Sequence, residues 1–284
     1  MKKGIIYGTS FAGREIYTEM KSKGEWDIVA FTDFFPENQG KELYGVKVVS
    51  PSQLCEYEYD AIIPASVIHY EVIRDELVTL HSIDVRKIDL SFSTNLEAYF
   101  WKARENFVKY FAKIVYTKAI GGSVAEGGVY KGDSAEMINR YFPDRKLYLF
   151  DTFEGYDARD VKTEAEMGGI ARSANRFSNT SVDFVLNRLP HRENAVVRKG
   201  YFPDTAEGIE DSFCFVSLDF NMYDPTVAGL SFFWPRMEKG GVIWIDDYFA
   251  HSYEGLPKAV DEFCAENGVS IMPVCDFSGC AIVK

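Results

Sequence analysis

Phe215-Val-Ser-Leu-Asp219 and, after a helical stretch, Gly240-Gly-Val-Ile-Trp-Ile-Asp246-Asp247-Tyr248 are the segments whose reading decides the fold. Each is an apolar run of strand length that ends in carboxylates. In a parallel sheet the strand ends of one edge lie side by side. Asp219 and the Asp246–Asp247 pair are therefore expected to meet at the carboxyl edge, where open α/β sheets bind ligands. Three oxygen-bearing side chains at that place suit a hard divalent cation such as Mg²⁺. The same residues read separately are ordinary helix caps and loop formers.

The chain of 284 residues is long enough for two domains. Its 46% hydrophobic and 26% charged content is that of a globular protein. A net charge of −12 argues against a broad nucleic-acid footprint. No apolar run reaches the roughly 20 residues needed to span a bilayer. The opening Met1-Lys-Lys-Gly-Ile-Ile-Tyr7 reads as a first strand, not a signal peptide. The five cysteines show no Cys-x-x-Cys pair and read as reduced thiols, so a cytoplasmic location is expected.

Residues 1–90 read as a small Rossmann-like domain. Gly4–Tyr7 is a strand, Gly8-Thr-Ser-Phe-Ala-Gly13 a glycine turn, Arg14–Lys23 a helix, and Asp27–Asp33 a strand ending in an acid 20 residues after Gly13. That order resembles the dinucleotide fingerprint. Ser10, however, stands where the middle glycine belongs, and its side chain crowds a pyrophosphate. The segment from Val46 to Ser66 continues as strand, turn and strand, and Tyr70–Leu80 as a helix with Val72, Ile73, Leu77 and Leu80 on one side. The domain resembles the nucleotide-binding domain found beside sugar-modifying enzymes of bacterial surface-glycan pathways.

Residues 91–118 form a connector. Ser91–Asn95 reads as a turn, and Leu96–Lys118 as an amphipathic helix rich in aromatics, expected to dock between domains or on a homodimer partner. From 119 to 284 the pattern is again strand, glycine turn, helix, strand, acid. Here Ser123-Val-Ala-Glu126-Gly127-Gly128-Val-Tyr130-Lys-Gly132-Asp133-Ser134 leads to Lys146–Phe150 and then Asp151-Thr152. Asp133 and Glu136 have capping-box spacing. An acid running into the turn repels a pyrophosphate. It suits a cationic ligand with an amino-acid end, such as S-adenosylmethionine, whose ribose diol Asp151 would bind. Tyr156–Asn179 reads as a lid or a solvated loop, with Arg159, Arg172 and Arg176 facing a phosphate or water.

Five stretches in order, Glu126–Ser134, Asp151-Thr-Phe-Glu-Gly155, Lys199–Thr205, Leu218-Asp219 with Tyr223, and Gly240–Tyr248, resemble the macrocin O-methyltransferase (TylF-type) family. The resemblance covers roughly 115–284. It implies an α/β fold of two Rossmann-like domains, the second a seven-stranded class I methyltransferase sheet, and a Mg²⁺-dependent, S-adenosylmethionine-dependent methylation of a sugar or glycan hydroxyl. It places metal ligands on Asp219, Asp246 and Asp247. Donor contacts fall on Glu126, Gly127, Gly128, Tyr130, Asp133, Ser134, Asp151 and Thr152. Two departures stand out: Phe220 replaces a glycine and Asn221 a carboxylate.

The expected acceptor is a sugar, nucleotide-sugar or glycan end. The proton would pass to Asp219 or to His251, a loop residue after the carboxylate pair. The rival reading is a non-catalytic protein that binds a nucleotide or nucleotide-sugar, with the carboxylates merely structural.

Overall fold

The computed structural model describes residues 1–67, 69–168, 173–250 and 253–284. Two compact units divide the chain, Met1–Lys102 and Ala103–Lys284. Both are Rossmann-like α/β units.

In the first unit the strands are β1 (Lys2–Tyr7), β2 (Trp26–Thr32), β3 (Glu42–Leu43), β4 (Val46–Val49) and β5 (Ala61–Pro64), in sheet order β3-β4-β2-β1-β5. All neighbours pair parallel except the edge pair β3–β4. Helices α1 (Phe11–Lys23) and α2 (Tyr70–Thr79) accompany the sheet. Ser10 is the N-cap residue of α1, with no side-chain cap bond. The Asp33 carboxylate is occupied locally: it accepts from the Thr9 N–H at 3.0 Å, from the Thr9 hydroxyl and from the Phe35 N–H at 2.9 Å. On α2 only Leu77 is fully buried. Val72 and Leu80, expected on the same face, are 65% and 73% exposed, because the packed stripe of this short helix is narrower than its apolar composition.

Helix α3 (Ser91–Thr117) runs through the boundary between the units. Ser91–Asn95, expected as a turn, is its first turn. Tertiary packing overrides local polarity here: Phe92 is buried and the buried Ser93 hydroxyl donates to the Pro64 carbonyl. The aromatics divide by side. Phe107 and Phe111 pack on the core of the second unit, whereas Tyr110 is 58% exposed.

The second unit carries β6 (Ser123–Gly127), α4 (Asp133–Tyr141), β7 (Leu147–Asp151), α5 (Ala158–Glu166), α6 (Val182–Leu186), β8 (Ala195–Lys199), β9 (Phe213–Leu218), α7 (Tyr223–Phe233), β10 (Met237–Ile245), α8 (Gly255–Asn267), β11 (Met272–Pro273) and β12 (Cys280–Val283). The seven strands lie in the order β11-β12-β10-β9-β6-β7-β8. Only β12 runs against its neighbours. The chain winds outward from β6 to β8 and returns to β9 on the other side of β6. The topological switch therefore lies between β6 and β9, where such sheets open a ligand crevice.

Alternation along the strands sorts the core into two faces. Val124, Leu149, Val242 and Trp244 face a cluster that includes Val108, Ala112 and Val115 of α3. Ala125, Phe150, Val216, Leu218, Ile243 and Ile245 face the other, with Phe233 of α7 and Leu256 of α8. Two local expectations change. Asp133 does not cap α4: Gly132 is the N-cap, and Asp133 pairs with Arg188 at 2.6 Å. The stretch 156–179, expected as loop, contains α5, whose buried face carries Asp160 and Glu164.

Candidate active site

Register brings the acids together. Glu126 lies opposite Ser217, and Ser217 opposite Trp244. Two residues further along the strands, Asp219 and Asp246 occupy one row, and Asp151 extends it beyond the end of β6. Side-chain alternation turns all three, and Glu126 one step below, to the face that α3 covers. Gly128 lets this edge close up. Its φ is +81°, and a Cβ there would stand 2.1 Å from the Asp219 carbonyl oxygen, so only glycine fits.

The row's members differ in what holds them. Asp151 accepts the Val129 and Tyr130 N–H groups on Oδ2 at 2.7 and 2.8 Å, and the Phe153 N–H on Oδ1 at 2.6 Å. It fixes the glycine turn, with lone-pair capacity left on Oδ1 for one more donor. Asp219 is half-buried, and its carboxylate receives no hydrogen bond from any described residue. Burial, then Asp246 and Asp247, push its carboxyl well above the usual range.

Asp246 is buried and bound on one oxygen. Its Oδ1 accepts from Arg104 Nη2, from Ser278 Oγ at 2.9 Å and from the Asp247 N–H at 2.8 Å. Burial pushes the Asp246 carboxyl up, but Arg104 outweighs it and holds the group below its ordinary value. Arg104 is itself anchored: Nε donates to Asp276 Oδ2 at 3.1 Å and Nη2 to Ser278 Oγ at 3.1 Å. Asp276 Oδ1 in turn accepts the Ser278 and Gly279 N–H groups. Asp247 has left-handed backbone, with φ +58°.

Asp219, Asp246 and Asp247 are the residues expected to hold Mg²⁺. Among the described residues no group of three or more His, Cys, Asp or Glu side chains is arranged to hold a metal ion. The physical reason is visible at Asp246, whose Oδ1 already faces the guanidinium of Arg104. The arrangement does not fit a preformed metal centre.

A site for an organic cation fits the neighbouring Glu126. Glu126 is 2% exposed, and its Oε2 has no hydrogen-bond partner among the described residues. Burial, then Asp219 and Asp151, push this carboxyl well above its usual range. A buried, unsatisfied acceptor among other acids is the complement of a cationic donor. Thr152 turns its hydroxyl to the Gly155 carbonyl at 2.6 Å. Ser134 is buried at the start of α4, next to Asp133. Tyr130 has φ +47° and donates its hydroxyl to Asn179 Oδ1 at 2.8 Å.

Beside the row stands an aromatic wall. Phe177 packs 4.9 Å from the Tyr130 ring and 5.3 Å from the Tyr156 ring. The Tyr156 and Tyr253 hydroxyls are 2.9 Å apart. Burial and then Tyr253 raise the Tyr156 phenol, and Asp219 acts on it in the same direction. Arg176 lies over Phe177, while Arg159 pairs with Asp157 and stacks on Tyr201. His251 and Arg172 lie outside the described residues.

The two departures settle on opposite sides. Phe220 turns to the other face, over Gly127, where a Cβ would come 2.3 Å from the Phe220 ring, and packs 5.1 Å from Phe202. The missing side chain of Gly127 thus accommodates Phe220, away from the carboxylates. Asn221 is buried in left-handed backbone, φ +66°, with Nδ2 3.3 Å from the Asp219 carbonyl. A neutral amide there cannot take a proton.

The family described as macrocin-O-methyltransferase (TylF) matches over residues 98–281. The chain belongs to the macrocin-O-methyltransferase (TylF) family. It is thus an O-methyltransferase by family. A second family, described as C2185-like, N-terminal, matches residues 1–89. Among relatives, the 8-demethyl-8-(2,3-dimethoxy-alpha-L-rhamnosyl)-tetracenomycin-C 4'-O-methyltransferase of Streptomyces olivaceus is 24% identical over 195 residues, 62% of this chain and 70% of that one. The O-methyltransferase NovP shares the fold with TM-score 0.52 at 20% identity, covering 64% of this chain and 79% of its own. The calicheamicin methyltransferase CalS11 does so with TM-score 0.52 at 17% identity, covering 75% and 90%.

Arg104 was missed by reasoning from sequence. A signal existed: Arg104, Val108, Ala112 and Val115 share one stripe of α3, and a cation on an otherwise apolar stripe asks for a buried acid.

Proposed function

We propose that the protein transfers a methyl group from S-adenosylmethionine to a hydroxyl of a sugar or glycan. The observation that carries this reading is the orphaned Glu126 Oε2 beside the bare Asp219. The former is an acceptor for a cationic donor, and the latter is a base without other obligations. When bound, the donor supplies an electrophilic methyl on a sulfonium. Glu126 would bind its ammonium, and Asp151 Oδ1 one ribose hydroxyl.

Asp219, with its elevated proton affinity, accepts the proton of the acceptor hydroxyl as the oxygen attacks. Its raised proton affinity makes it a stronger base than an exposed carboxylate. Tyr130, Phe177 and Tyr156 offer apolar faces on which a sugar ring packs, so that the hydroxyl and methyl are held in line. The rhamnosyl substrate in the name of the Streptomyces relative supports a sugar acceptor.

The test is a thermal-shift titration with S-adenosylhomocysteine on the native protein and on Asp219→Asn. Ligand at about 100 times its Kd stabilises the native state by about 2.7 kcal/mol, an upward shift easily read. Both proteins are expected to shift alike, while only the native one methylates a sugar acceptor. Folded native protein that does not respond to S-adenosylhomocysteine or S-adenosylmethionine would favour the nucleotide-binding reading.

A further inference from the structure

The row of acids at the carboxyl edge is not balanced by acids and ligand alone. Arg104 and Asp246 are 5% and 7% exposed, and Asp276 is fully buried. One guanidinium thus stands between two buried carboxylates, with Nε on Asp276 and Nη2 on Asp246 and Ser278. The guanidinium also lies 5.2 Å from the Trp244 ring centroid, which closes its apolar side. Its place is over-determined: the 276–279 turn holds Asp276, Asp276 holds Arg104, and Arg104 with Ser278 holds one oxygen of Asp246.

We propose that Arg104 is the resident cation of the carboxylate row, a positioning residue that neutralises Asp246 and so takes the place at this carboxylate that a divalent metal ion would otherwise fill. A guanidinium suits the task. It carries a permanent charge and presents donors in a fixed fork, so it bridges two carboxylates that a lysine ammonium meets only as a point. Asp219 is left with a protein cation as neighbour, which weakens its hold on a second cation. The proposal uses the methyl-transfer reading only for what the row does. Where the charge sits is independent of it.

The test is Mn²⁺ binding, followed by titration calorimetry in the absence of donor and acceptor, so its outcome does not depend on turnover. Native protein is expected to bind Mn²⁺ weakly, with a Kd of about millimolar. Arg104→Met removes a neighbouring positive charge and is expected to tighten binding at least about tenfold. Arg104→Lys keeps the charge and should bind as the native protein does. Because Arg104→Met leaves two buried acids unpaired, the double variant Arg104→Met with Asp276→Asn is measured beside it. It restores the charge count of the cluster and should still bind Mn²⁺ more tightly than the native protein, by less than Arg104→Met, because the cation beside Asp246 is gone.

A merely structural arginine predicts lost binding or no change, not a gain. The proposal is overturned if native protein binds Mn²⁺ with micromolar affinity, or if the folded neutral variants bind no more tightly than it does. Equal gains in Arg104→Lys and Arg104→Met would overturn the charge assignment. A missing S-adenosylhomocysteine response would count against the methyl-transfer reading and leave the Mn²⁺ result standing.

Discussion

Glu126 holds an ionisable carboxyl where the fold gives Oε2 no partner and surrounds it with acids. Its folded-state pKa lies above its unfolded value, so the native state binds the extra proton. Stability from this group is therefore fully present at low pH and is lost as pH rises from the ordinary glutamate range through the folded value. Glu126→Gln removes that loss. The variant without ligand should melt above the native protein at pH 8, by a margin that shrinks toward pH 5, as differential scanning fluorimetry across pH would read. In the proposed site the same change removes the charged acceptor that would meet the donor's ammonium. Hydrogen bonds to charged groups contribute about 1.5–3 kcal/mol, so S-adenosylhomocysteine should bind roughly 10- to 100-fold more weakly. A variant that is both less stable and equally avid would contradict this assignment. Asp160 provides a second case. Burial, resisted by the Tyr201 hydroxyl, raises its carboxyl to about 6. Stability from Asp160 is lost between roughly pH 4 and pH 6, so the melting-temperature advantage of Asp160→Asn should grow over that interval and level off above it.

Helix α5 is tied to α8 by one side chain. Glu164 Oε1 accepts the Glu254 and Gly255 N–H groups at 2.9 and 3.0 Å, which caps the start of α8 from another element. A carboxylate at a helix N-terminus also meets the positive end of the helix dipole. Glu164→Ala strands a buried donor at Gly255 and a part-buried one at Glu254. We expect a loss of about 2–4 kcal/mol, seen as a lower urea midpoint with unchanged slope. Retention of the native midpoint would show that water replaces the carboxylate without cost. This contact marks a limit of reading elements from sequence. Strands that end in acids announce themselves, because an apolar run followed by Asp219, or by Asp246-Asp247, leaves few other readings. The glycine turn at 127–128 is equally legible, since only glycine admits the approach of the Asp219 carbonyl. Contacts between distant elements are not. Glu164 and Gly255 are 91 positions apart and Arg104 and Asp246 142, and no local pattern couples them. Ser91–Asn95 shows the converse failure, a polar run drawn into helix by the burial of Phe92 and Ser93.

At the scale of the molecule, every described residue assigned to donor, proton transfer or the acidic row belongs to the unit Ala103–Lys284. The acids gather at the β6–β9 switch because winding order, not sequence proximity, sets which strand ends are neighbours. The first unit has its own five-stranded sheet and its own apolar cluster around Ile5, Ala30 and Ile62. Its Asp33 accepts from Thr9 and Phe35 and, like Asp151, keeps one lone-pair position on Oδ1, so what distinguishes the second unit is the orphaned Glu126 beside its acid. Donor binding should therefore leave a local imprint. Hydrogen exchange with and without S-adenosylhomocysteine is expected to slow in peptides covering 126–134, 150–156 and 217–222, where amides line the crevice or depend on Asp151 for their position. Peptides within 1–66 should exchange at unchanged rates. The size of the effect follows from linkage: with ligand at about 100 times its Kd, openings that destroy the site become about 100-fold rarer, whereas openings elsewhere keep their frequency. Slowed exchange in the β1–α1 turn around residues 8–13 would place the adenosyl ligand on the first unit and remove Glu126 and Asp151 from the donor site.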